Sequence, residues 1–577
     1  MPIQAVWLIE SQDAAKWQAQ LQAELDTCTE VHETYRNKVK KFMLAYGIPH
    51  IAELDYEWRE AYADFLKTEV KPVCYSTYLK AFDRIKRHSM QRSMTIAVKG
   101  KTLPPPYTNT VLFLPYHPNE KIANMVFNAG NKQDLVWDFS RKAPETMKRQ
   151  IYEVLHYVLE NAKGNKQLRL YIKSLQKLYD FCTAEQIEDI EQLTRTQTDR
   201  FKATLEAPQG KESAIIGLCC KALFLQAEEI HWNANVWYME RIHLAPERTD
   251  PSKPVKSLSF AEVEHTENRR LLKKYMRYGL GITNLSINNL RQEMNEVRGF
   301  LAGLKQTESE NVCMLTPEQM DAYFKEEQQR AVQTQTYNNK VMCLLHFFSY
   351  LKVRGYIERI PFDDECYLKK SVAQHHNRSV SQEVTEEILS KLYRFPEEIR
   401  LMYLHLWGIG LRISEVCTLK GDAYYIQGED AWIQVYQIKM KTYKRIPIPA
   451  ALYKLMMVYL KKHSIKAEDY VFQNTKGGAY RCETFRYKML KACAENNIQG
   501  GEYLFKGHDY RHTIATHFYD TGVPIQSIRD YLGHDYEEMT LQYIDYMPKK
   551  IEKASEEYFS RHSLADCLET EVDTDGE

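Results

Sequence analysis

The stretch His508-Asp509-Tyr510-Arg511, with the residues that follow it, decides the fold of the C-terminal third of the chain. Its histidine and arginine are three residues apart, a spacing that places both side chains on one face of a helix. Thr521-Gly522-Val523-Pro524 ends that helix, because glycine is favoured just after a helix and proline at the start of the next one. Residues 525–532 form a second helix, which Gly533-His534 closes. His534 is therefore predicted to lie just past a helix end.

An arginine-containing motif, Gly410-Leu411-Arg412-Ile413-Ser414-Glu415, follows an apolar helix at residues 401–407. The glycines let the chain turn tightly, which places Arg412 beside the start of the next helix. A guanidinium in that position could hold a phosphate through two parallel hydrogen bonds. The motif is equally compatible with a simple helix joint in which Arg412 pairs with an acid.

Two β-hairpins are predicted directly after this motif. Residues 423–426 and 432–436 flank a glycine-containing turn, and residues 444–449 offer a third strand. Lys441 then lies at the tip of the second hairpin, from which a lysine can reach a bound backbone or protonate a leaving oxygen. An ordinary surface lysine is the alternative, because lysines also protect exposed strand edges. The strands together predict a small antiparallel sheet.

The upstream part of the chain contains one helical pattern three times, although chance similarity among amphipathic helices is an open alternative. In each copy an amphipathic helix ends on a phenylalanine, and a leucine then opens a new helix eight residues before an aromatic residue. The leucine–aromatic pairs are Leu54 and Tyr62, Leu193 and Phe201, and Leu315 and Tyr323. Asp55, Thr194 and Thr316 follow the leucines and can cap the new helices through their side-chain oxygens.

Clusters of proline and other turn-forming residues divide the chain into domains. The fold class that we predict is mainly α and multidomain, with helical N-terminal domains and a mixed α+β domain that carries the small antiparallel sheet. The predicted division is a helical domain at 1–100, a proline-containing linker at 101–130, a second repeat-like helical domain at 131–250, a linker at 251–285, a helical domain at 286–375, the α+β domain at 380–562 and an acidic disordered tail at 563–577.

Length and composition argue against a single-domain, membrane-spanning, secreted or metal-binding protein. The chain has 577 residues, too many for one hydrophobic core, and 77 basic residues against 77 acidic ones. No apolar stretch approaches the roughly 20 residues that span a bilayer, and the first residues lack the pattern of a secretory signal. The 12 cysteines form no Cys-x-x-Cys motif, and no histidine, cysteine or carboxylate set has metal-ligand spacing. We expect a cytoplasmic protein with reduced thiols and with neither metal nor cofactor.

Two further spacings complete the pattern in the C-terminal third. Lys441 lies eight residues before Pro449, and Tyr543 lies nine residues after His534. With the arginine and histidine motifs above, their order and spacing resemble those of the tyrosine recombinase (phage integrase) family. The resemblance is clear over about 380–560. It is weaker over 286–370, which is similar to that family's core-binding (SAM-like) domain, a helical DNA-binding domain. Tyr510 departs from the pattern, since the family often has leucine there.

The resemblance implies DNA strand breakage and rejoining through a 3′-phosphotyrosyl intermediate, with no ATP. The implied roles are phosphate clamping by Arg412 and Arg511, a further hydrogen bond from His534, base catalysis by His508, protonation of the leaving 5′ hydroxyl by Lys441, and nucleophilic attack by Tyr543. Tyr546 lies three residues after Tyr543, but the spacing from His534 favours Tyr543 as the nucleophile. Lys439 lies two residues before Lys441, but the spacing to Pro449 favours Lys441.

The function expected from this resemblance is site-specific recombination or integration for a mobile element. The expected partner is double-stranded DNA, whose backbone would be neutralised in part by Lys439, Lys444 and Arg445. Self-association into a tetramer on paired sites, accessory recombination proteins and association with the nucleoid are further expectations. A type IB topoisomerase-like enzyme and a catalytically silent DNA-binding partner of a recombinase remain the alternatives.

Overall fold

The fold is described from a computed structural model, in which residues 11–96, 111–117, 120–127, 135–207, 210–304, 311–370, 378–541, 555 and 557 are described. Helices dominate, and the sheets are small and antiparallel, which confirms the predicted fold class. The chain divides into two compact units: residues 1–242, 257–273 and 300–312 form unit 1, and residues 243–256, 274–299 and 313–577 form unit 2.

The described residues of unit 1 include two hydrophobic cores. The first lies among four helices and is rich in aromatic contacts, such as the stack of Tyr62 on Phe82 at 4.8 Å between ring centroids. The second lies among the remaining helices and a two-stranded antiparallel sheet. The elements are α1 Ser11–Asp26, α2 Glu33–Tyr46, α3 Tyr56–Glu69, α4 Tyr75–Ile96, β1 Val111–Phe113, α5 Glu120–Phe127, β2 Val136–Asp138, α6 Glu145–Asn161, α7 Asn165–Ala184, α8 Arg195–Ala203, α9 Ile215–Gln226, β3 Val236–Tyr238 and β4 Ser257–Ser259.

Two long helices are divided between the units in sequence: α10 Thr266–Gly281 and α11 Ile287–Gly303. The predicted linkers at 101–130 and 251–285 therefore contain regular structure, since β1, α5, β4 and α10 begin inside them. The finer domain boundaries stay a prediction. Within the part of the chain that the structure describes, no helix is both long enough and apolar enough to cross a membrane.

The helix starts predicted for the threefold pattern are present. Asp55 accepts a hydrogen bond from the amide of Trp58 at the start of α3. Thr194 and Thr316 each form a capping box, in which the side-chain oxygen of the glutamine three residues later accepts a hydrogen bond from the cap's own amide. These side chains satisfy amides that have no partner inside the helix, so each helix begins where the sequence places it.

Unit 2 combines the remaining helices with a three-stranded sheet. Its large core extends from Val384 to Tyr510 in sequence and is contributed by helices and by the inner face of the sheet. The remaining elements are α12 Pro317–Gln329, α13 Thr334–Val353, α14 Gln382–Lys391, α15 Glu397–Ile409, α16 Ile413–Cys417, β5 Tyr424–Gln427, β6 Asp430–Gln437, β7 Thr442–Pro447, α17 Ala450–Lys462, α18 Cys482–Glu495, α19 Gly507–Asp520, α20 Ile525–Leu532 and α21 Glu537–Leu541.

The sheet has the order β5-β6-β7 and is antiparallel throughout. Along β6 buried and partly exposed residues alternate, as a strand with one face on a core requires. The tip of the second hairpin lies between Gln437 and Thr442, which are register partners. Lys441 is in the tip with φ 57°, a left-handed conformation that a non-glycine residue adopts at a cost.

The capping box of α12 gives the first testable prediction. Thr316→Ala removes the acceptor for the Gln319 amide, and we expect the local stability of α12 to fall by about 1 kcal/mol. Amide hydrogen exchange of the full chain measures this loss as faster exchange in α12. Thr334→Ala is the matched control, because α13 has no side-chain cap hydrogen bond. Equal effects of the two substitutions on their helices would contradict the capping argument.

Candidate active site

Arg412 lies where the backbone turns between two helices. Gly410 ends α15 with φ +64°, a conformation suited to glycine, and α16 begins directly after Arg412. The amide of Arg412 donates to Glu415 Oε2 at 3.0 Å, and its Nη1 donates to Oε1 of the same carboxylate at 2.8 Å. The pairing with an acid that the sequence left open is therefore present, and it fixes the direction of the guanidinium.

Glu415 is the centre of a buried polar cluster. The residue is 2% exposed, and Lys444 Nζ lies 3.3 Å from its Oε2. Gln437 Nε2 also reaches the carboxylate, at 3.4 Å from Oε1. Burial alone would raise the pKa of Glu415, but the charges of Lys444, Arg511 and Arg412 and the hydrogen bond from the Arg412 amide lower it to about 2. The carboxylate is therefore ionised at neutral pH and holds cations from several elements around it.

The sequence predicts that Lys444 helps to neutralise the DNA backbone, and the structure places this side chain inside the protein. The residue is 7% exposed and faces Glu415. Burial lowers its pKa to about 8, an effect that Glu415 opposes and that Arg511 and Arg412 strengthen. Arg445, the next residue on β7, points to the exposed side, where its Nε donates to Gln434 Oε1 at 2.9 Å.

Arg511 is fully buried on α19 and connects three parts of the site. Its Nη1 donates to the carbonyl of Gly410 at 3.0 Å, and its Nη2 donates to the carbonyl of Leu532. The same Nη2 lies 3.0 Å from His534 Nε2. Because an arginine can only donate, His534 Nε2 acts as the acceptor and Nδ1 carries the proton toward Thr540 Oγ1, 3.0 Å away.

Both histidines of the motifs are neutral at physiological pH. Burial, together with the charges of Arg511 and Arg412, lowers the pKa of His534 to about 3. His508 is exposed to the cavity, but partial desolvation still lowers its pKa to about 4, and His512, Arg511 and Arg412 add to the effect. A neutral imidazole can accept a proton, and an anion placed beside it would raise its pKa again.

Three of the expected catalytic residues line one cavity of about 670 Å³ in unit 2: Arg412, His508 and Lys441. Lys439 lines it as well. Arg511 and His534 lie in the buried cluster, joined to each other by the hydrogen bond described above. Tyr543 and its alternative Tyr546 lie outside the described residues. Within the described residues, no group of three or more histidine, cysteine and carboxylate side chains could hold a metal ion.

The sequence reading missed Glu415, Gln437 and the burial of Lys444. Glu415 stood inside the quoted motif and could have been singled out, because an acid at the third helical position is the usual partner of a capping box. The signal for Lys444 is its place on a strand with alternating burial. No local signal marks Gln437, whose Nε2 donates to the Gly533 carbonyl at 3.1 Å across 96 residues.

Glu415 has a consequence for stability at low pH. Because the folded state depresses its pKa from 4.5 to about 2, its contribution to stability is fully present above the unfolded pKa and is lost as pH falls from about 4.5 to 2. We expect this loss to be about 3 kcal/mol. Urea unfolding at pH 5.5 and at pH 2.5 should show a smaller difference for Glu415→Gln than for the unsubstituted chain.

The partly exposed carboxylate Glu397 provides the control for that experiment. Hydrogen bonds from Lys462 and His463 lower its pKa as well, but ion pairs near the surface contribute little to stability. Glu397→Gln should therefore reduce the acid sensitivity much less than Glu415→Gln does. If Glu415→Gln has the same acid sensitivity as the unsubstituted chain, the Glu415 carboxylate does not contribute the stability that is lost at low pH.

Gly533 gives a second prediction for the site. It has φ +66°, and an added Cβ would overlap the amide group of Gln437. Gly533→Ala should therefore lower the thermal unfolding midpoint through backbone strain of about 1–2 kcal/mol and a further ~1–3 kcal/mol from the overlap. Gly522→Ala is the matched control, since Gly522 has φ +88° but an open space around the added carbon. Equal losses for the two alanines would rule out the contact with Gln437.

Comparison with known proteins identifies this region. Residues 378–550 match the model of the phage integrase family. Transposase B from transposon Tn554 of Staphylococcus aureus strain Mu50 is 29% identical over 328 residues, which cover 54% of this chain and 51% of that protein. Tyrosine recombinase XerA of Thermococcus onnurineus is 28% identical over 224 residues, which cover 38% of this chain and 76% of that protein. The chain thus spans about half the length of the transposase that it matches.

Solved structures are similar over the same share of the chain. The Tn1549 transposon integrase in complex with transposon right end DNA has 18% identity and a TM-score of 0.39, and the match covers 50% of this chain and 98% of that one. The XerH site-specific recombinase bound to its difH substrate has 16% identity and a TM-score of 0.37, with 52% and 90% covered. The family model and the related sequences agree with the motifs, and residues 378–550 of this chain belong to the phage integrase family of tyrosine recombinases.

Proposed function

We propose that the chain is a site-specific DNA recombinase of a mobile element, which cuts and rejoins DNA strands through a 3′-phosphotyrosyl intermediate. The observation that carries the proposal is the cluster around Glu415, which gathers the motif residues Arg412 and Arg511 near two neutral histidines. A phosphodiester under attack by an oxygen develops negative charge on its non-bridging oxygens, and fixed cations stabilise that charge. The relatives named as transposases and recombinases support the same reaction.

Arg412 is the cation best placed to receive the phosphate. It lines the cavity, and its bond to Glu415 leaves the fork of the guanidinium oriented before substrate arrives. Arg511 is buried behind it, so we propose that it acts through its charge and by holding His534. The resemblance implies that Arg412 and Arg511 both bind the phosphate directly. We propose instead that Arg511 supports the site without contacting the phosphate.

Tyr543 is the proposed nucleophile, and His508 the proposed base. A free phenol has a pKa of about 10, so attack at neutral pH needs a proton acceptor and nearby positive charge. His508 is neutral in the free protein, and a phosphate bound beside it would raise its pKa and strengthen it as a base. Tyr543 then attacks phosphorus, and the bond to the 5′ oxygen breaks.

Lys441 is the proposed acid for the departing 5′ hydroxyl. It sits at the hairpin tip on the cavity wall, while Lys444 is buried against Glu415. The phosphotyrosine that remains stores the energy of the broken bond, so that another DNA end can attack it without ATP. Lys439, on the same wall, is proposed to bind the DNA backbone.

Double-stranded DNA is the proposed substrate and partner. Exchange between two duplexes needs four strand cleavages, so a tetramer on paired sites is proposed, with accessory proteins setting direction. A type IB topoisomerase-like enzyme uses the same chemistry on one duplex and is the second candidate. The similarity to a transposon-encoded transposase favours recombination over relaxation.

A nicked suicide substrate tests the proposed nucleophile. Cleavage near the nick releases a short strand, which prevents rejoining and traps a covalent protein–DNA adduct that resists denaturation. Tyr543→Phe should abolish the adduct, because the phenyl ring has no oxygen to attack phosphorus. Tyr546→Phe is the matched control and should retain it. Loss of the adduct in Tyr546→Phe with its retention in Tyr543→Phe would move the nucleophile to residue 546.

A further inference from the structure

A proline-containing segment, residues 246–253, holds the end of α10 in unit 2, and we call it the strap. Pro246 and Pro251 restrict its backbone. Arg248 donates three hydrogen bonds to main-chain carbonyls around the end of α10: to Gly279 at 2.8 Å, to Leu280 at 2.7 Å and to Leu285 at 2.8 Å. A guanidinium at the C-terminal end of a helix satisfies carbonyls that the helix itself leaves without partners.

The other end of the strap is bound to the family domain. Ser252 is 1% exposed, and its carbonyl accepts from the amide of Cys482 at 3.2 Å, at the start of α18. Its hydroxyl lies 3.1 Å from Cys482 Sγ. Asp250 fixes the turn by accepting from both the amide and the hydroxyl of Ser252. The strap is thus tied at one end to the α10–α11 loop and at the other to α18.

The strap and the α10–α11 loop line the same cavity as Arg412 and His508. Lys441 Nζ lies 3.5 Å from the carbonyl of Asn284, so the hairpin tip contacts the α10–α11 loop. The cavity of about 670 Å³ has the size of a small-molecule site. A DNA duplex is far larger than this space, so its backbone reaches Arg412 through the cavity only if the strap and the loop move.

The strap lines the cavity with charges of both signs: Glu247 and Asp250 are accompanied by Arg248 and Lys253. These formal charges cancel, so the strap would hinder DNA by its position and not by repelling the phosphates.

We propose that the strap is an autoinhibitory latch, which holds the α10–α11 loop across the catalytic residues until duplex DNA displaces it. The proposal rests on the proposed function, because it assigns the regulation of the same site. Only the fraction of molecules with an open latch binds DNA, so the latch lowers the apparent affinity by that fraction. DNA then contacts the residues that line the cavity only after the α10–α11 loop has moved.

Arg248→Ala in the full chain tests the latch, because it removes the three hydrogen bonds to the α10 end. The first readout is amide hydrogen exchange without DNA, in residues 279–289 and in the hairpin tip at 438–441. The second is the association rate with a duplex of arbitrary sequence, followed by fluorescence anisotropy. We expect faster exchange in both segments and association roughly tenfold faster, since charged hydrogen bonds are lost from the closed form alone.

Arg241→Ala is the matched control, because Arg241 makes equivalent hydrogen bonds to the carbonyls of Leu225 and Glu228 in unit 1. Arg241→Ala should change neither the amide exchange of the α10–α11 loop and the hairpin tip nor the association rate with DNA. If Arg248→Ala unfolds the protein, Ser252→Ala is the second variant. It removes only the hydroxyl at the other end of the strap and should loosen the strap less.

Three results would overturn the latch. Unchanged exchange at the hairpin tip would show that the strap does not hold the loop there, and unchanged association would show that the strap does not limit DNA entry. Slower association would make the strap a DNA contact. The exchange measurement contains no DNA, so it is independent of the suicide-substrate result: a chain that opens on Arg248→Ala but forms no adduct keeps the latch and loses the recombinase function.

Discussion

The buried carboxylate of Glu415 is the constraint on which the candidate site depends. A carboxylate that is 2% exposed is stable as an ion only if cations and donors surround it. Arg412 supplies a cation from the same helix start, and Lys444 supplies a second cation from β7. Gln437 supplies a hydrogen-bond donor from the end of β6. One desolvated charge thereby fixes the position of a helix start relative to two strands. The orientation of Arg412 follows from it.

The same constraint extends to the histidine motif through backbone carbonyls. Gln437 donates to Gly533, and Arg511 donates to Gly410 and Leu532, so the loop before His534 is held from two directions. Arg511 also fixes the tautomer of His534 through its hydrogen bond to Nε2. Low pKa values at both histidines are the electrostatic result of this arrangement, because cations crowd the buried site before any phosphate neutralises them.

The sequence predicted elements well where the signal is local. The caps at Asp55, Thr194 and Thr316 start their helices, and α20 occupies residues 525–532 as expected. The histidine and arginine of the His508 motif lie on α19. Long-range pairing could not be predicted: the alternation along β7 indicates that Lys444 turns inward, but nothing near it in sequence identifies Glu415 as its partner. The strap falls at the predicted boundary between the domain at 131–250 and the linker at 251–285, and its contacts could not be predicted because its partners lie up to 230 residues away.

The central claim is that Tyr543 forms a covalent bond with DNA at a site built around Arg412 and Glu415. Mass spectrometry of the tryptic peptide at residues 530–549, taken from the trapped adduct after nuclease digestion, tests it most directly. This peptide contains Tyr531, Tyr536, Tyr543 and Tyr546. The account predicts that fragmentation places the nucleotide on Tyr543. A nucleotide on another tyrosine, or an unmodified peptide from a chain that nevertheless cleaves DNA, would contradict it.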